Sequence, residues 1–247
     1  MRRLLLASVA AGAFSITPAL AADLPVKAPP PVAAPAASWT GCYIGGNVGG
    51  GWSGVKSMDP ASSVVEIDHT ISGFVGGGQI GCDYQFATKW VIGIQAMWDW
   101  SDVSGDAHTS RFPPDIISAR VRSFDTLTAR IGYAVTQTAL LYAKFGAGWV
   151  DDNFTYRCGG SGGFCIAGLN MPFNQTRDAF DAGLGFAWMF SPNWDVFVEY
   201  DHMDLQTKLV SFRGLGGAVG VDQNIRQDFN KVLVGLDYRL NPWGATY

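Results

Sequence analysis

The sequence predicts an all-β protein, an eight-stranded antiparallel up-and-down barrel that spans a membrane. Eight stretches alternate apolar and polar residues, and a strand turns successive side chains to opposite faces. Most of these stretches begin and end on an aromatic residue. The links between them are alternately short and long, which is typical of membrane barrels with short inner turns and long outer loops.

The clearest stretch is Trp90–Trp100. One face carries Trp90, Ile92, Ile94, Ala96, Trp98 and Trp100, and the other carries Val91, Gly93, Gln95, Met97 and Asp99. An apolar face about ten residues long suits a tilted strand that crosses the hydrocarbon of a bilayer.

The other strands follow the same rule. The predicted strands are Thr40–Trp52, Gly73–Phe86, Trp90–Trp100, Phe124–Ala134, Ala139–Val150, Ala179–Phe190, Trp194–Met203 and Phe229–Leu240. Apart from the third, their apolar faces carry, in order, Ile44, Val48 and Trp52; Phe74, Ile80 and Tyr84; Leu127, Ile131 and Tyr133; Leu141, Phe145 and Trp149; Phe180, Leu184 and Phe186; Val196, Val198 and Tyr200; and Val232, Val234 and Leu236. The long links 53–72, 101–123, 151–178 and 204–228 are predicted outer loops.

The N-terminal residues predict an exported chain. Arg2 and Arg3 precede an apolar stretch, and Ala19-Leu20-Ala21 fits a signal-peptidase site, so residues 1–21 are interpreted as a signal peptide. The Pro- and Ala-rich residues 22–38 are interpreted as a periplasmic tether. Residues 39–247 form the predicted barrel, and its expected location is the outer membrane of a Gram-negative bacterium.

Composition argues against a soluble domain. Charged residues make up 15% of the chain, whereas soluble domains average about 25%. The net charge of -4 and the lack of a basic cluster argue against nucleic acid as a partner.

A soluble eight-stranded barrel also alternates, with its apolar face turned inward. The membrane barrel is preferred because the polar faces are poor in Lys and Glu and rich in Gly, and because aromatics gather at strand ends as interface girdles do. The predicted girdle comprises Trp39, Trp52, Trp90, Trp98, Trp100, Trp149, Trp188, Trp194 and Tyr238. Phe124 and Phe229 are predicted to lie with it at the outer rim.

The opening Trp39-Thr-Gly-Cys-Tyr-Ile-Gly-Gly-Asn-Val-Gly49 and the closing Gly235-Leu-Asp-Tyr-Arg-Leu240 resemble the small outer-membrane β-barrel proteins of alphaproteobacteria. Those proteins are opacity-protein-like and share the architecture of the membrane domain of outer membrane protein A. The resemblance implies a surface protein that supports envelope integrity, with adhesins and one haem-binding class among its members. Such chains usually end on a strand-terminal aromatic, whereas here Asn241–Tyr247 follows the last strand and contains Pro242.

Charges on the polar faces predict a network inside the barrel, because a narrow bore cannot hold unpaired charges. Its predicted members are Arg130, Lys144, Asp181, Glu199, Asp201, Asp237 and Arg239. We expect Arg130 and Lys144 to pair with Glu199 and Asp181. The network is interpreted as a structural plug, since eight strands leave a bore filled by side chains; a gate or selective channel is the alternative.

Four cysteines can pair in an oxidising compartment. Cys158 and Cys165 bracket a Gly-rich loop segment, which predicts a disulfide. Cys42 and Cys82 share the apolar face of neighbouring strands, either as a disulfide or as adjacent apolar residues. No metal, cofactor or catalytic site is expected.

Two motifs resemble enzyme signatures by coincidence. Gly76-x-Gly78-x-x-Gly81 lies within a predicted strand with no helix after it, and Gly159-x-Ser161-x-Gly163 lies in a predicted loop. His202 stands beside Asp201, but no serine is placed with it.

The sequence therefore predicts a non-enzymatic, structural outer-membrane barrel that presents loops outside. Its expected partners are outer-membrane lipid, lipopolysaccharide and the barrel-assembly machinery. The loop tracts Phe112–Ile117 and Leu209–Val221 carry exposed apolar residues, which are interpreted as ordinary loop packing or, alternatively, as contacts with lipopolysaccharide, a host surface or a neighbouring barrel. Host or surface ligands reached through the outer loops are therefore further candidate partners. A small-solute porin and a surface adhesin or ligand receptor are the two alternatives.

Overall fold

A computed structural model of the chain describes residues 38–109, 114–160, 166–214 and 219–240. Its strands are β1 (Gly41–Met58), β2 (Val65–Phe86), β3 (Trp90–His108), β4 (Ile116–Ala134), β5 (Ala139–Arg157), β6 (Asn170–Ser191), β7 (Trp194–Gly214) and β8 (Val219–Leu240). Each strand pairs antiparallel with the next, and β8 pairs with β1 to close the barrel. The predicted eight-stranded up-and-down barrel is confirmed. Within the described ranges no helix combines the length and apolarity needed to span a bilayer.

The inner end of the barrel, where the strands are joined by short turns, matches the sequence prediction closely. The turn between β2 and β3 consists of Ala87, Thr88 and Lys89. Ala87 and Thr88 have φ angles of 46° and 64°, in the left-handed region that tight hairpin connections use. A short turn of this kind fixes the register in which the two strands pair.

At the outer end, the predicted strand limits are wrong. β4 begins at Ile116 rather than Phe124, β6 begins at Asn170 rather than Ala179, and β7 ends at Gly214 rather than Met203. Most of each predicted outer loop is therefore strand. We call these added parts, residues 53–58, 65–72, 101–108, 116–123, 151–157, 170–178, 204–214 and 219–228, the outer extension.

The strand limits were missed because the alternation changes sign along each strand. In β4, Leu127 and Ile131 point outward and are 53% and 44% exposed. Earlier in the same strand Ile117 and Val121 point inward and are buried, and Arg120 points outward. Apolar side chains thus face outward in one part of the strand and inward in the other, as expected where the surroundings change from hydrocarbon to water.

The loop tracts predicted to expose apolar residues need correction. Ile117, Val210 and Phe212 are buried inside the outer extension, where they join one hydrophobic core. Leu209 is exposed, as expected. Positions 110–113 and 215–218 lie outside the described residues.

Because the outward face of each strand changes from apolar to polar, an outward-facing residue replaced by Arg should lower the free energy of unfolding by an amount that depends on its position along the strand. Val198 and Gln206 are both exposed on the outward face of β7, Val198 in the apolar belt and Gln206 in the outer extension. We expect Val198→Arg to lower the free energy of unfolding by about 2–4 kcal/mol, because it places a cation in hydrocarbon. Gln206→Arg should change it by less than about 0.5 kcal/mol. Urea unfolding in lipid vesicles measures both, and equal costs would contradict a membrane boundary between them.

Candidate functional site: the barrel interior

The interior of the barrel has a polar inner half and an apolar outer half. The described inward-facing charges beside the apolar belt are four basic and seven acidic residues: Arg130, Lys144, Lys231 and Arg239, with Asp83, Asp99, Asp181, Asp195, Glu199, Asp201 and Asp237. All of them are buried. Because burying an unpaired charge is costly, the arrangement of these groups decides whether the interior is stable.

Lys144 is at the centre of the network. Its Nζ lies 2.6 Å from Glu199 Oε1, 3.1 Å from Asp201 Oδ2 and 3.8 Å from Asp181 Oδ2. Tyr142 donates a hydrogen bond of 2.8 Å to the other oxygen of Glu199. The structure thus brings Lys144 together with the two carboxylates that the sequence suggested and with Asp201.

Arg130 has a different partner from the one expected. It forms a two-pronged salt bridge with Asp83 on β2, in which Nε donates to Oδ1 at 2.7 Å and Nη2 donates to Oδ2. Its guanidinium also lies over the rings of Tyr43 and Tyr142, 4.9 and 4.8 Å from their centroids. The expected pairing with Glu199 or Asp181 is therefore wrong, because Lys144 occupies those carboxylates.

Arg239 closes the inner end of the network. It donates to Asp195 at 2.6 Å and to Asp83 at 3.1 Å, so that Asp83 is shared by two arginines. Asp237, which was predicted to join the ion pairs, instead accepts a hydrogen bond of 2.7 Å from the Gln79 amide.

Four charged members of the network were not singled out from the sequence: Asp83, Asp99, Asp195 and Lys231. Lys231 Nζ lies 2.6 Å from Asp99 Oδ2 and 3.5 Å from Asp201 Oδ2. The alternation of side chains along each strand places all four on inward faces, so the sequence was sufficient to predict them as members of the network. Which charges meet depends on how the strands are offset around the closed barrel, and alternation along single strands does not reveal that offset.

Glycines let these large side chains lie flat against the wall. A Cβ on Gly183 would collide with the Asp201 carboxylate, and one on Gly185 would collide with the Tyr142 ring. The abundance of Gly on the polar faces is thus explained by close approach inside a narrow bore.

The outer half of the interior is a hydrophobic core. Phe124 and Phe229 pack with their centroids 4.1 Å apart, and Tyr156 packs on Phe212 at 5.7 Å. Phe124 and Phe229 are fully buried, so their placement at the outer rim was wrong. Both occupy positions at which the alternation along the strand points the side chain into the barrel.

A buried ion pair lies within this outer half. Arg177 donates to Asp152 at 2.6 Å, in the outer extension. Burial raises the pKa of the Asp152 carboxyl to about 6, although the Arg177 guanidinium opposes the shift.

Trp39 does not belong to the girdle. It is fully buried at the inner end, where Arg239 lies over its ring at 4.5 Å and donates a hydrogen bond to its carbonyl oxygen at 3.1 Å. Trp39 precedes β1 and turns into the bore, where it covers the ion pairs. The other predicted girdle residues point outward and are 38–69% exposed: Trp52, Trp90, Trp98, Trp100, Trp149, Trp188, Trp194 and Tyr238.

The cysteines on β1 and β2 are joined. Cys42 and Cys82 are directly paired in the sheet and form a disulfide with an S–S distance of 2.09 Å. Cys165 lies outside the described residues, so its bond with Cys158 remains a prediction.

Residues reminiscent of enzyme sites are not brought together. Asp201 points into the bore, whereas His202 points outward, where its Nδ1 lies 2.8 Å from Asn230 Oδ1. Gly76, Gly78 and Gly81 all lie within β2. Among the described residues no group of three or more His, Cys, Asp or Glu side chains could hold a metal ion.

A closed antiparallel barrel with apolar residues outside and ion pairs inside defines the class of membrane-spanning β-barrels. Residues 6–239 match the family model described as the outer membrane protein beta-barrel domain. The 31 kDa outer-membrane immunogenic protein of Brucella melitensis is 30% identical over 97% of this chain and 100% of its own length. An uncharacterised protein of Coxiella burnetii is 26% identical over 67% of this chain and 69% of its own.

Solved structures with a similar fold are more distant in sequence. The attachment invasion locus protein Ail of Yersinia pestis is 12% identical, with a TM-score of 0.42 over 81% of this chain and 99% of Ail. A major outer membrane protein of Thermus thermophilus is 10% identical, with a TM-score of 0.48 over 81% of this chain and 99% of its own. The family match and the Brucella relative are decisive: the chain belongs to the outer membrane protein beta-barrel domain family, and its location is the outer membrane.

The network predicts a large cost for removing its central cation. Lys144→Met leaves Glu199 and Asp201 buried without their nearest cation, and we expect a loss of about 3–5 kcal/mol in the free energy of unfolding. Lys144→Met combined with Glu199→Gln should recover part of that loss, because one of the uncompensated charges is gone. Urea unfolding in vesicles measures both.

Lys208→Met provides the matched control, because Lys208 is exposed on β7. It should change the unfolding free energy by less than about 0.5 kcal/mol. Similar values for Lys144→Met and Lys208→Met would show that Lys144 does not hold the network together.

Proposed function

We propose that this protein is a closed, non-enzymatic structural barrel that stabilises the outer membrane and carries its loops above the surface. The observation that supports the proposal is that side chains occupy the interior at both levels. Below lies the ion-pair network around Lys144, and above it lies the apolar layer that contains Phe124 and Phe229. Insertion by the barrel-assembly machinery and contact with lipopolysaccharide belong to the same proposal.

Two layers in series predict how the bore responds to mutation. The wild-type barrel should give no steady openings in a planar bilayer. Lys144→Ala with Glu199→Ala should still be closed by the apolar layer, and Phe124→Ala with Phe229→Ala should still be closed by the network. Only the quadruple variant should conduct. Its current should favour cations, because after the loss of Glu199 and Lys144 six carboxylates still face the bore against three basic groups.

Single-channel recording distinguishes this proposal from a small-solute porin. Steady openings of the wild-type barrel that change with Glu199→Ala would favour transport and contradict a closed bore. Heat-modifiable migration on gels shows for each variant that the barrel has folded, so a silent recording is not mistaken for an unfolded chain.

A role as a surface antigen or receptor is a second proposal, and the outer extension favours it. The extension continues the barrel beyond the outward-facing Trp100 and Trp149, so it holds the connecting loops away from the lipid. The name of the Brucella relative describes that protein as immunogenic. Exposed loops on a rigid support suit contact with antibodies or host surfaces.

Protease treatment of intact cells tests the surface arrangement. Cleavage is expected within residues 59–64, 109–115, 158–169 and 215–218, and not within the wider segments that the sequence suggested as loops. Cleavage throughout 170–178 would contradict the strand that the structure places there. Deleting Asp152–Thr176 would remove parts of β5 and β6, so replacing residues 159–168 with a Gly-Ser turn is the better test of adhesion.

A further inference from the structure

The outer extension consists of two four-stranded sheets. The strands β3 to β6 stay paired to their outer ends, and so do β7, β8, β1 and β2. The ladder between β6 and β7 stops at Ala179 opposite Leu205, and the ladder between β2 and β3 stops at Ser72 opposite Ser104. Beyond these pairs, two seams run along the extension, and at each seam the backbone edges of two strands face each other without a ladder.

The seam between β6 and β7 is the more open of the two. At the β2–β3 seam, a Cβ on Gly105 would lie 2.6 Å from Ile71 Cγ2 and 3.2 Å from His69 Nε2, so side chains fill the space. The β6–β7 seam instead begins at a cleft of about 460 Å³, which Asp178 and Asp204 line among others.

Further out, side-chain contacts rather than a ladder hold β7 against β6. The rings of Phe173 and Phe212 lie 6.2 Å apart across the seam, and a Cβ on Gly214 would lie 3.0 Å from Met171 Cγ. Because no backbone ladder opposes their separation, the outer part of the β7–β8 hairpin can move away from β6 and admit a strand.

The β6 edge suits pairing better than the β7 edge does. An unpaired edge is a template for another strand, and sheets protect such edges with bulges, lysine or proline. β7 has a register shift where it leaves β6, and Arg213 Nη1 donates to the Phe212 carbonyl oxygen at 3.0 Å. On β6, Pro172 protects the outer end, whereas the six residues Phe173–Asp178 have none of these devices.

The charge at the base of the seam identifies the kind of strand that fits. Asp178 and Asp204 are exposed on the outward face, and neither forms an ion pair with any described residue. A segment that pairs antiparallel with β6 has its N-terminal end beside these carboxylates, where basic residues are favourable. The edge faces along the barrel wall, so a flexible extended segment can reach it more easily than the wall of a second barrel can.

We propose that the β6 edge Phe173–Asp178 binds an extended segment of a partner protein, with basic residues at the N-terminal end of that segment. The segment continues the sheet by backbone hydrogen bonds, its apolar side chains cover Phe173, and its basic groups lie at Asp178 and Asp204. This inference deepens the role as a surface receptor and rests on that role.

A synthetic peptide of two lysines followed by four valine–threonine pairs is the probe. Methyl groups on alternate amides leave it one edge for pairing, and a counterpart methylated on every amide is its control. Full-length protein in detergent micelles should bind the control more weakly by more than about tenfold, because the control cannot donate backbone hydrogen bonds. Equal binding of the two peptides would overturn strand addition.

Removing the charges tests the base of the seam. Asp178→Asn with Asp204→Asn should weaken probe binding about tenfold, the loss expected for one charge-assisted hydrogen bond. Asp106→Asn removes an exposed carboxylate from β3, on the other side of the extension, and should leave the affinity unchanged. Equal losses would indicate general charge attraction and contradict the site.

A disulfide across the seam provides a reversible test within one folded protein. Since Met171 Cγ is one bond from Cβ, the Cβ atoms of Met171→Cys and Gly214→Cys lie at most about 4.5 Å apart, within reach of a disulfide. The oxidised double variant should lose probe binding and regain it with reductant, while the wild-type protein binds equally in both conditions. Equal binding by the oxidised and reduced variant would overturn the proposal.

Two further outcomes separate the seam from its alternatives. A detergent-solubilised dimer that the linkage converts to a monomer would show that the seam binds a second copy and would overturn an external partner. Cells with the linked variant that still adhere, when cells with the Gly-Ser turn at 159–168 do not, would place the receptor in the loop and contradict the seam. Unchanged adhesion of both would contradict the receptor role itself.

Discussion

Closure of the sheet between the first and last strands is the constraint on which the rest of the structure depends. β1 pairs with β8 from Cys42 opposite Leu240 to Met58 opposite Asn224, so no strand edge is left open between them. In hydrocarbon this closure is obligatory, because an unpaired backbone group finds no water to bond. It also creates a narrow interior in which every inward-facing side chain must find a partner. The shared Asp83, held by Arg130 and Arg239, is the solution at the inner end.

The sequence predicts the strand number, order, inner turns and lipid-facing side chains, because each follows from alternation and from the length of a membrane crossing. It does not predict the outer ends. At β4 the exposed apolar face of Leu127 and Ile131 gives way to buried Ile117 and Val121, so a search for apolar-outward alternation stops where the lipid stops. The reversal is itself a readable signal, since Ser118, Arg120 and Arg122 alternate with those buried residues.

The sequence predicts which charged side chains point into the barrel, but it does not predict which of them pair with one another. Parity places Lys144, Glu199 and Asp201 inside, and they meet there. Parity cannot reveal that Arg130 on β4 reaches Asp83 on β2, since that contact depends on the offset between strands. Trp39 was missed for another reason: it precedes the first strand, so alternation does not govern it, and the cation of Arg239 draws its ring into the bore.

The two halves of the barrel solve the same packing problem in opposite ways. Where lipid surrounds the barrel wall, apolar side chains are needed on the outside. The inward-facing glycines, which have no side chain, leave space inside for charged groups that pair with one another. Where water surrounds the wall, polar side chains cover the outside and the interior becomes an ordinary hydrophobic core.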